Sequence, residues 1–255
     1  MIIDADVHIS SMSKVGKGIS AEELLKRMEK AGVDKAVVWL QPPYTRVLDN
    51  LNEYVYETMR RYPDKILGFG WVDPNLGVEE AKTTVKKCLY EYGFYGVKLN
   101  GAQNNFYIDD PKLSIPVIEE IAKAGKVLAL HVGTDAYDMT HPFRVGKIAS
   151  LFPELQILMV HMGGVAHTDI TNAAIEIAQK YSNLTLIGSA VRTMPILKAI
   201  KTIGSSRVCF GSDTPFELMH VEVARYNALL DGEVSKEDKY NVMAGNIIRL
   251  LNIIE

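Results

Sequence analysis

The sequence has little cysteine. Its two thiols, Cys88 and Cys209, lie far apart and form no CxxC pair. That excludes a disulfide framework or a CxxC motif. Both thiols are expected to be reduced in a cytoplasmic protein, with Cys209 in the core. Net charge is also small, −3 at pH 7, so neither nucleic acid nor an anionic membrane surface is favoured as a partner. There is no run of about 18 apolar residues and hence no expected membrane-spanning helix. The opening MIIDADVHIS lacks the basic segment and cleavage pattern of a signal peptide and reads directly as a strand. No low-complexity stretch, charge block or linker divides the chain, so residues 1–255 are expected to form one domain. A GxGxxG fingerprint is missing after the first strand, which leads instead into HISSMSKVG. That argues against a doubly wound nucleotide-binding sheet.

What is present is ordinary globular material, 47% hydrophobic and 23% charged over 255 residues. Short apolar, β-branched runs recur at 1–8, 35–41, 66–72, 95–100, 127–133, 156–163, 184–189 and 208–213. Their starts are spaced by about 24 to 34 residues, the length of a strand plus a crossover helix. Most are apolar on both faces, as parallel strands buried between a core and a helix layer must be. Helical patterns fill the gaps at 20–32, 48–61, 77–92, 111–124, 143–151, 169–181, 195–203 and 216–230, and a closing helical stretch covers 235–252. In the first of these, Ser20 and Glu23 read as a capping box and Gly32 as a stop. Eight strict β–α alternations predict an α/β fold, a (β/α)8 TIM barrel with extra C-terminal helices.

In such a barrel the active site lies at the C-terminal strand ends. The first strand ends on Asp6 and His8, two residues apart and therefore on one side. Lys98, His131, His161 and Asp213 fall at the ends of the fourth, fifth, sixth and eighth runs. Taken singly, each has an ordinary explanation. A lone histidine is commonly a hydrogen-bonded structural group, Asp213 in SDTP suits a helix cap, and Asp6 suits a supporting partner. Taken together, three imidazoles and two carboxylates converging on one pocket are a ligand set for zinc or a similar divalent ion.

The same residues carry a resemblance. The chain resembles the amidohydrolase superfamily along its whole length, in particular the amidohydrolase-related branch that includes aminocarboxymuconate-semialdehyde decarboxylase. DADVH stands where the family has its strand-1 HxH motif, LHVG and VHMGG match its strand-5 and strand-6 histidines, FGSDTP matches its strand-8 aspartate, and GNIIRLL resembles its closing helix. The resemblance implies one divalent ion, most often zinc with manganese or another ion as alternatives, held by Asp6, His8, His131 and Asp213. It makes His161 the acid/base group beside it, with Asp213 a second base. The departure is Asp6 in place of the first histidine of HxH. A carboxylate there either ligates directly, making the metal a weaker Lewis acid and favouring a harder ion, or orients His8 or a water. Lys98 is read as a cation for a substrate carboxylate or a partner of the acidic ligands. The alternative is a carbamate bridging two ions, as in two-metal members.

Arg192, after the seventh run, is a further candidate for binding a substrate carboxylate. Gln41, Tyr44 and Trp71 are possible pocket lining, His141 and His167 possible rim residues, and His220 structural. Gly163 and Gly164 are expected to leave space for substrate against the main chain, and the polar loop 100–111 to cover it. The expected function is metal-dependent hydrolysis of a small carboxylate, lactone, ester or amide. Decarboxylation on the same site is the alternative, and a metal- and metabolite-binding barrel without turnover is the third reading. The expected partner is a small-molecule substrate, and a homo-oligomer is left open.

Overall fold

The computed structural model describes residues 1–13, 18–41, 49–164 and 166–254. Its eight strands are β1 (Ile3–Ile9), β2 (Lys35–Leu40), β3 (Ile66–Trp71), β4 (Gly96–Leu99), β5 (Val127–His131), β6 (Ile157–Val160), β7 (Leu184–Ile187) and β8 (Val208–Cys209). They pair in chain order, all parallel. The sheet closes between β1 and the segment running on from β8. Ala5 N–H donates to Phe210 O at 3.0 Å, His8 N–H donates to Thr214 O at 2.7 Å, and Val7 pairs in parallel with Thr214. This is the predicted (β/α)8 barrel. Burial on both faces explains the unbroken apolar runs: every residue of β3, β4, β6 and β7 is buried.

Helices follow the predicted order, and their ends show why the boundaries fall where they do. Ser20 Oγ accepts Glu23 N–H at 3.2 Å to start the helix Ala21–Ala31, and Gly32, with φ 68°, ends it. The helix expected from residue 111 begins only at Ile115, because Asp110 Oδ1 first accepts the N–H groups of Lys112 and Leu113, both at 2.8 Å. The expected 77–92 helix is Val78–Lys86 continued by a π turn, Lys87–Glu91. In the closing segment, Asn246 is fully buried and its Nδ2 donates to Ser205 O at 2.7 Å and Val208 O at 2.8 Å. That pins the last helix, Asn246–Leu251, to the foot of β8. Among the described residues, no helix is long and apolar enough to cross a membrane.

Two irregularities position the site. The β1–β2 register slips between Asp4 and Val7, a bulge that re-aims the residues leading to His8. β8 stops early because Phe210 N–H turns to Val242 O at 2.9 Å instead of continuing the ladder with β7. Asp213 therefore stands beyond the strand, on the connection to the helix Met219–Leu230.

Candidate active site

At the C-terminal end of the barrel, Asp6, His161 and Asp213 each offer one ligand atom, all within 4.8 Å of one another. Asp6 is fully buried and His161 is 7% exposed. His8 joins them from β1: its Nε2 is 3.5 Å from Asp6 Oδ1 and 3.6 Å from Asp213 Oδ1. Its Nδ1 lies 2.9 Å from Leu40 O, which can only accept, so Nδ1 carries the hydrogen in the neutral ring. The Nε2 lone pair then faces the two carboxylates and the Trp39 indole N–H, 3.1 Å away. Burial and Lys98 lower the affinity of His8 for a proton, but Asp213 and Asp6 outweigh them and raise its pKa above the ordinary value.

Lys98 is placed by Trp71 on β3, its register partner. Its Nζ is 3.6 Å from Asp6 Oδ1 and 3.8 Å above the Trp39 ring, with no hydrogen-bond partner and no exposure. Desolvation lowers its pKa, against the pull of Asp6. Burial alone would raise the Asp6 carboxyl, yet the Lys98 charge above all, with His161 and His8 beside it, holds it well below the carboxylate range. Lys98 thus faces Asp6. It is fully buried beside that carboxylate.

His161 does not sit on a strand. β6 ends at Val160, and His161–Gly163 form a 3₁₀ turn in which His161 has φ 69° and Met162 φ 36°. Asp213 has φ 58° and Ala190, after β7, φ 47°. Left-handed backbone at non-glycine residues is costly and gathers where function fixes the chain. Burial pushes the His161 imidazole down to about 4, although Asp213 and Asp6 pull it upward.

The remaining expectations divide. His131 ends β5 and packs edge-on to His161, ring centroids 4.8 Å apart, but its Nε2 is engaged by Asp135 Oδ1 at 2.9 Å. It lies outside the three-residue cluster. Trp71 is fully buried, its indole bonded to Asn104 Oδ1 at 2.9 Å and its ring 6.4 Å from that of His8. Gln41 keeps a buried Oε1 without a partner, and Tyr44 falls outside the described residues. Arg192 is exposed: the left-handed turn at Ala190 buries Val191 and sends Arg192 outward, ahead of the helix Thr193–Ile203. His141 caps the helix Pro142–Leu151, its Nδ1 accepting Phe143 N–H at 3.2 Å. His167 is exposed, and His220 lies in the helix Met219–Leu230. Gly163 does not open space for a ligand. A Cβ there would meet Thr171 N at 2.7 Å, so the glycine serves close packing on the helix Thr168–Lys180.

Four residues of the site escaped the sequence reading. Asp4 is fully buried, and its Oδ1 accepts Ser212 N–H at 2.8 Å and Asp6 N–H at 3.1 Å. Burial raises its pKa to about 7 against the hydrogen bonds from Ser212. Trp39, Asp135 and Ser189 are the others. For three of them the signal is position: Asp4 keeps the two-residue step of Asp6 and His8, Trp39 pairs with His8 across the β1–β2 register, and Ser189 is a polar residue just past the apolar run of β7.

The donor set fits a divalent cation. Two carboxylates face each other across imidazole nitrogens, and Asp6 Oδ1 is buried with no hydrogen-bond partner, which costs stability unless positive charge is supplied. The family model described as Amidohydrolase matches residues 16–253. The chain belongs to the amidohydrolase family. Two of the relatives it resembles are each 24% identical to it. One is a 2-amino-3-carboxymuconate-6-semialdehyde decarboxylase from Dictyostelium discoideum, matched over 80% of this chain and 66% of the relative. The other is a gamma-resorcylate decarboxylase from Rhizobium sp. (strain MTP-10005), matched over 90% of this chain and 86% of the relative. The chain thus spans just under two thirds of the first relative's length. Among solved structures, a dihydroxybenzoic acid decarboxylase from Polaromonas sp. JS666, with bound manganese and the inhibitor 2-nitroresorcinol, superposes with a TM-score of 0.76 at 20% identity, covering 99% of this chain and 97% of that one. That likeness shows the fold.

Proposed function

We propose that the chain is a metal-dependent decarboxylase of a small aromatic or unsaturated carboxylic acid. The observation that carries the reading is the convergence of buried Asp6 and His161 with partly buried Asp213 within 4.8 Å. It supports a metal-assisted acid–base site in a family whose named relatives here are decarboxylases. Those names turn the balance from hydrolysis, which the sequence favours, to the decarboxylation it holds in reserve. The surroundings of His8 support a flat substrate. Trp39, Trp71 and Phe216 ring it, and Phe216, 5.5 Å away between centroids, is half exposed.

In this reading Asp6, His8 and Asp213 hold one divalent ion, with His131 the fourth member of the set. Two carboxylates make it a hard set, so manganese is proposed ahead of zinc. A bound ion supplies positive charge that stabilises negative charge on a substrate oxygen. The chain's own groups do the rest. Lys98 balances Asp6 from within the barrel. Phe216 offers an exposed ring to the substrate, and the buried Trp39 and Trp71 exclude water behind it. Loss of CO₂ leaves an electron pair on the carbon, which must gain one proton. His161 and Asp213, facing each other across the site, carry that proton. The test is a panel of aromatic and unsaturated carboxylic acids given to the manganese-loaded protein in D₂O. The expected result is CO₂ release with one deuterium placed on the carbon that lost it. Turnover of lactones or amides with no CO₂ overturns the proposal.

A further inference from the structure

Ser189 is fully buried immediately past β7 and lies between two groups of the site. Its Oγ is 2.5 Å from Asp6 Oδ2 and 2.9 Å from His161 Nδ1. An ionised carboxylate only accepts, so the Ser189 hydroxyl donates its single hydrogen to Asp6. What the hydroxyl turns toward Nδ1 is therefore a lone pair. The backbone carbonyl of Ser189 also lies 3.4 Å from Nδ1, and a carbonyl oxygen only accepts. Both neighbours of Nδ1 are acceptors, so Nδ1 must carry the hydrogen. A neutral imidazole has one N–H, which leaves the lone pair of His161 on Nε2.

We propose that Ser189 is a positioning residue that locks His161 in the Nδ1–H tautomer and links it to Asp6, so that Nε2 alone is presented as the proton-accepting atom. The backbone is arranged for this contact. Left-handed turns at His161 and at Ala190 set the two side chains against each other. Gly211 lets Asp6 and Ser189 approach each other: a Cβ there would lie 3.1 Å from Asp6 Cβ and 3.2 Å from Ser189 Cβ, and 2.6 Å from Ile187 Cγ2. The catalytic consequence rests on the reading of His161 as a proton carrier, but the tautomer does not.

The tautomer is read directly by long-range ¹H–¹⁵N correlation on protein carrying ¹⁵N-histidine, both as purified and loaded with diamagnetic zinc. The His161 signals are assigned by their loss in His161→Asn. The expected wild-type spectrum shows Nδ1 protonated and Nε2 bare. Ser189→Ala is expected to mix the tautomers and to lower turnover about tenfold, the equivalent of one hydrogen bond of about 1.4 kcal/mol, with little change in KM. Ser189→Thr, which keeps the hydroxyl, is expected to restore both. An Nε2–H tautomer in the wild-type protein overturns the inference without any variant, as does an unaltered tautomer in Ser189→Ala. If the tautomer follows the expectation and no carboxylic acid is turned over, the proposed reaction has failed and the role of Ser189 stands.

Discussion

Two buried carboxylates in this molecule are treated in opposite ways. Asp109, in the loop after β4, is 6% exposed and accepts from Arg144 Nη1 at 2.7 Å and Lys147 Nζ at 3.0 Å. Asp6 is fully buried, its nearest cation stands 3.6 Å off, and Oδ1 has no hydrogen-bond partner. The first carboxylate is paired where two basic residues on one helix, Pro142–Leu151, reach back to it. The second is left with unspent capacity beside two imidazoles and another carboxylate. A chain that pairs Asp109 so fully has the means to pair Asp6, and the difference marks Asp6 as held for something that arrives from outside.

The comparison can be broken most severely at Asp6. Asp6→Asn should reduce bound metal to near zero and lower decarboxylation by more than about 10⁴, beyond what a single acid–base group contributes. Its melting temperature should fall, since Lys98 is left buried without its counter-charge. A variant that keeps its metal and its turnover would erase the distinction between the two aspartates. His161→Asn should cost about 10²–10⁴ in turnover with metal content near one ion per chain, as measured by elemental analysis after dialysis. Loss of the ion in that variant would make His161 a ligand and leave Asp213 as the sole carrier of the proton.

Asp109 should respond in the opposite sense. Asp109→Asn is expected to leave turnover intact and to lower stability by about 1 kcal/mol, a modest figure because Lys147 and part of Arg144 remain in solvent. Burial raises the Asp109 carboxyl, but the bonds from Lys147 and Arg144 outweigh it and depress the pKa. Stability from a depressed carboxylate is present above the unfolded-state pKa and lost as pH falls through the folded one. The gap between wild type and variant in denaturant melts should therefore be full at pH 6 and close below about pH 4. A gap that widens in acid would contradict the pairing. The smallest effect concerns the thiols. Burial pushes Cys209 up to about 12 and Cys88 is 1% exposed, so neither should be labelled by a disulfide reagent at pH 8 until the chain is unfolded.

Much of the barrel was legible because burial on both faces writes strands as solid apolar runs, and because cap residues such as Ser20 and Gly32 act through neighbours in sequence. The site was legible only where chemistry stands out against that background. Asp6, His8, His161 and Asp213 interrupt apolar runs, and they do come together. His131 was placed correctly on its strand, yet its engagement by Asp135 depends on a loop conformation that composition does not encode. The exposure of Arg192 could not be read from the run before it, because alternation along a strand no longer applies past the left-handed turn at Ala190. Gly163 misled because a glycine next to a functional histidine serves tight packing as readily as ligand access. Ser189 was overlooked because a hydroxyl is common and its partners, Asp6 and His161, lie far away along the chain. Lys98 was seen, but only the stacked ring of Trp39 and the carboxylate of Asp6 show that it faces inward.

The barrel seam has a consequence for assembly. Seven of its eight joints are ladders between successive strands, while the eighth rests on a few bonds between β1 and the stretch beyond β8, including Ala5 to Phe210 and His8 to Thr214. Asp6 and Asp213 stand on opposite sides of that joint. On the proposed ligand set, a cation bound there is a removable cross-link between the first strand and the last, closing nearly the whole chain into a loop. Such a link binds the closed ring and not the open one, so metal supply should govern how long the ring stays shut as well as whether it reacts.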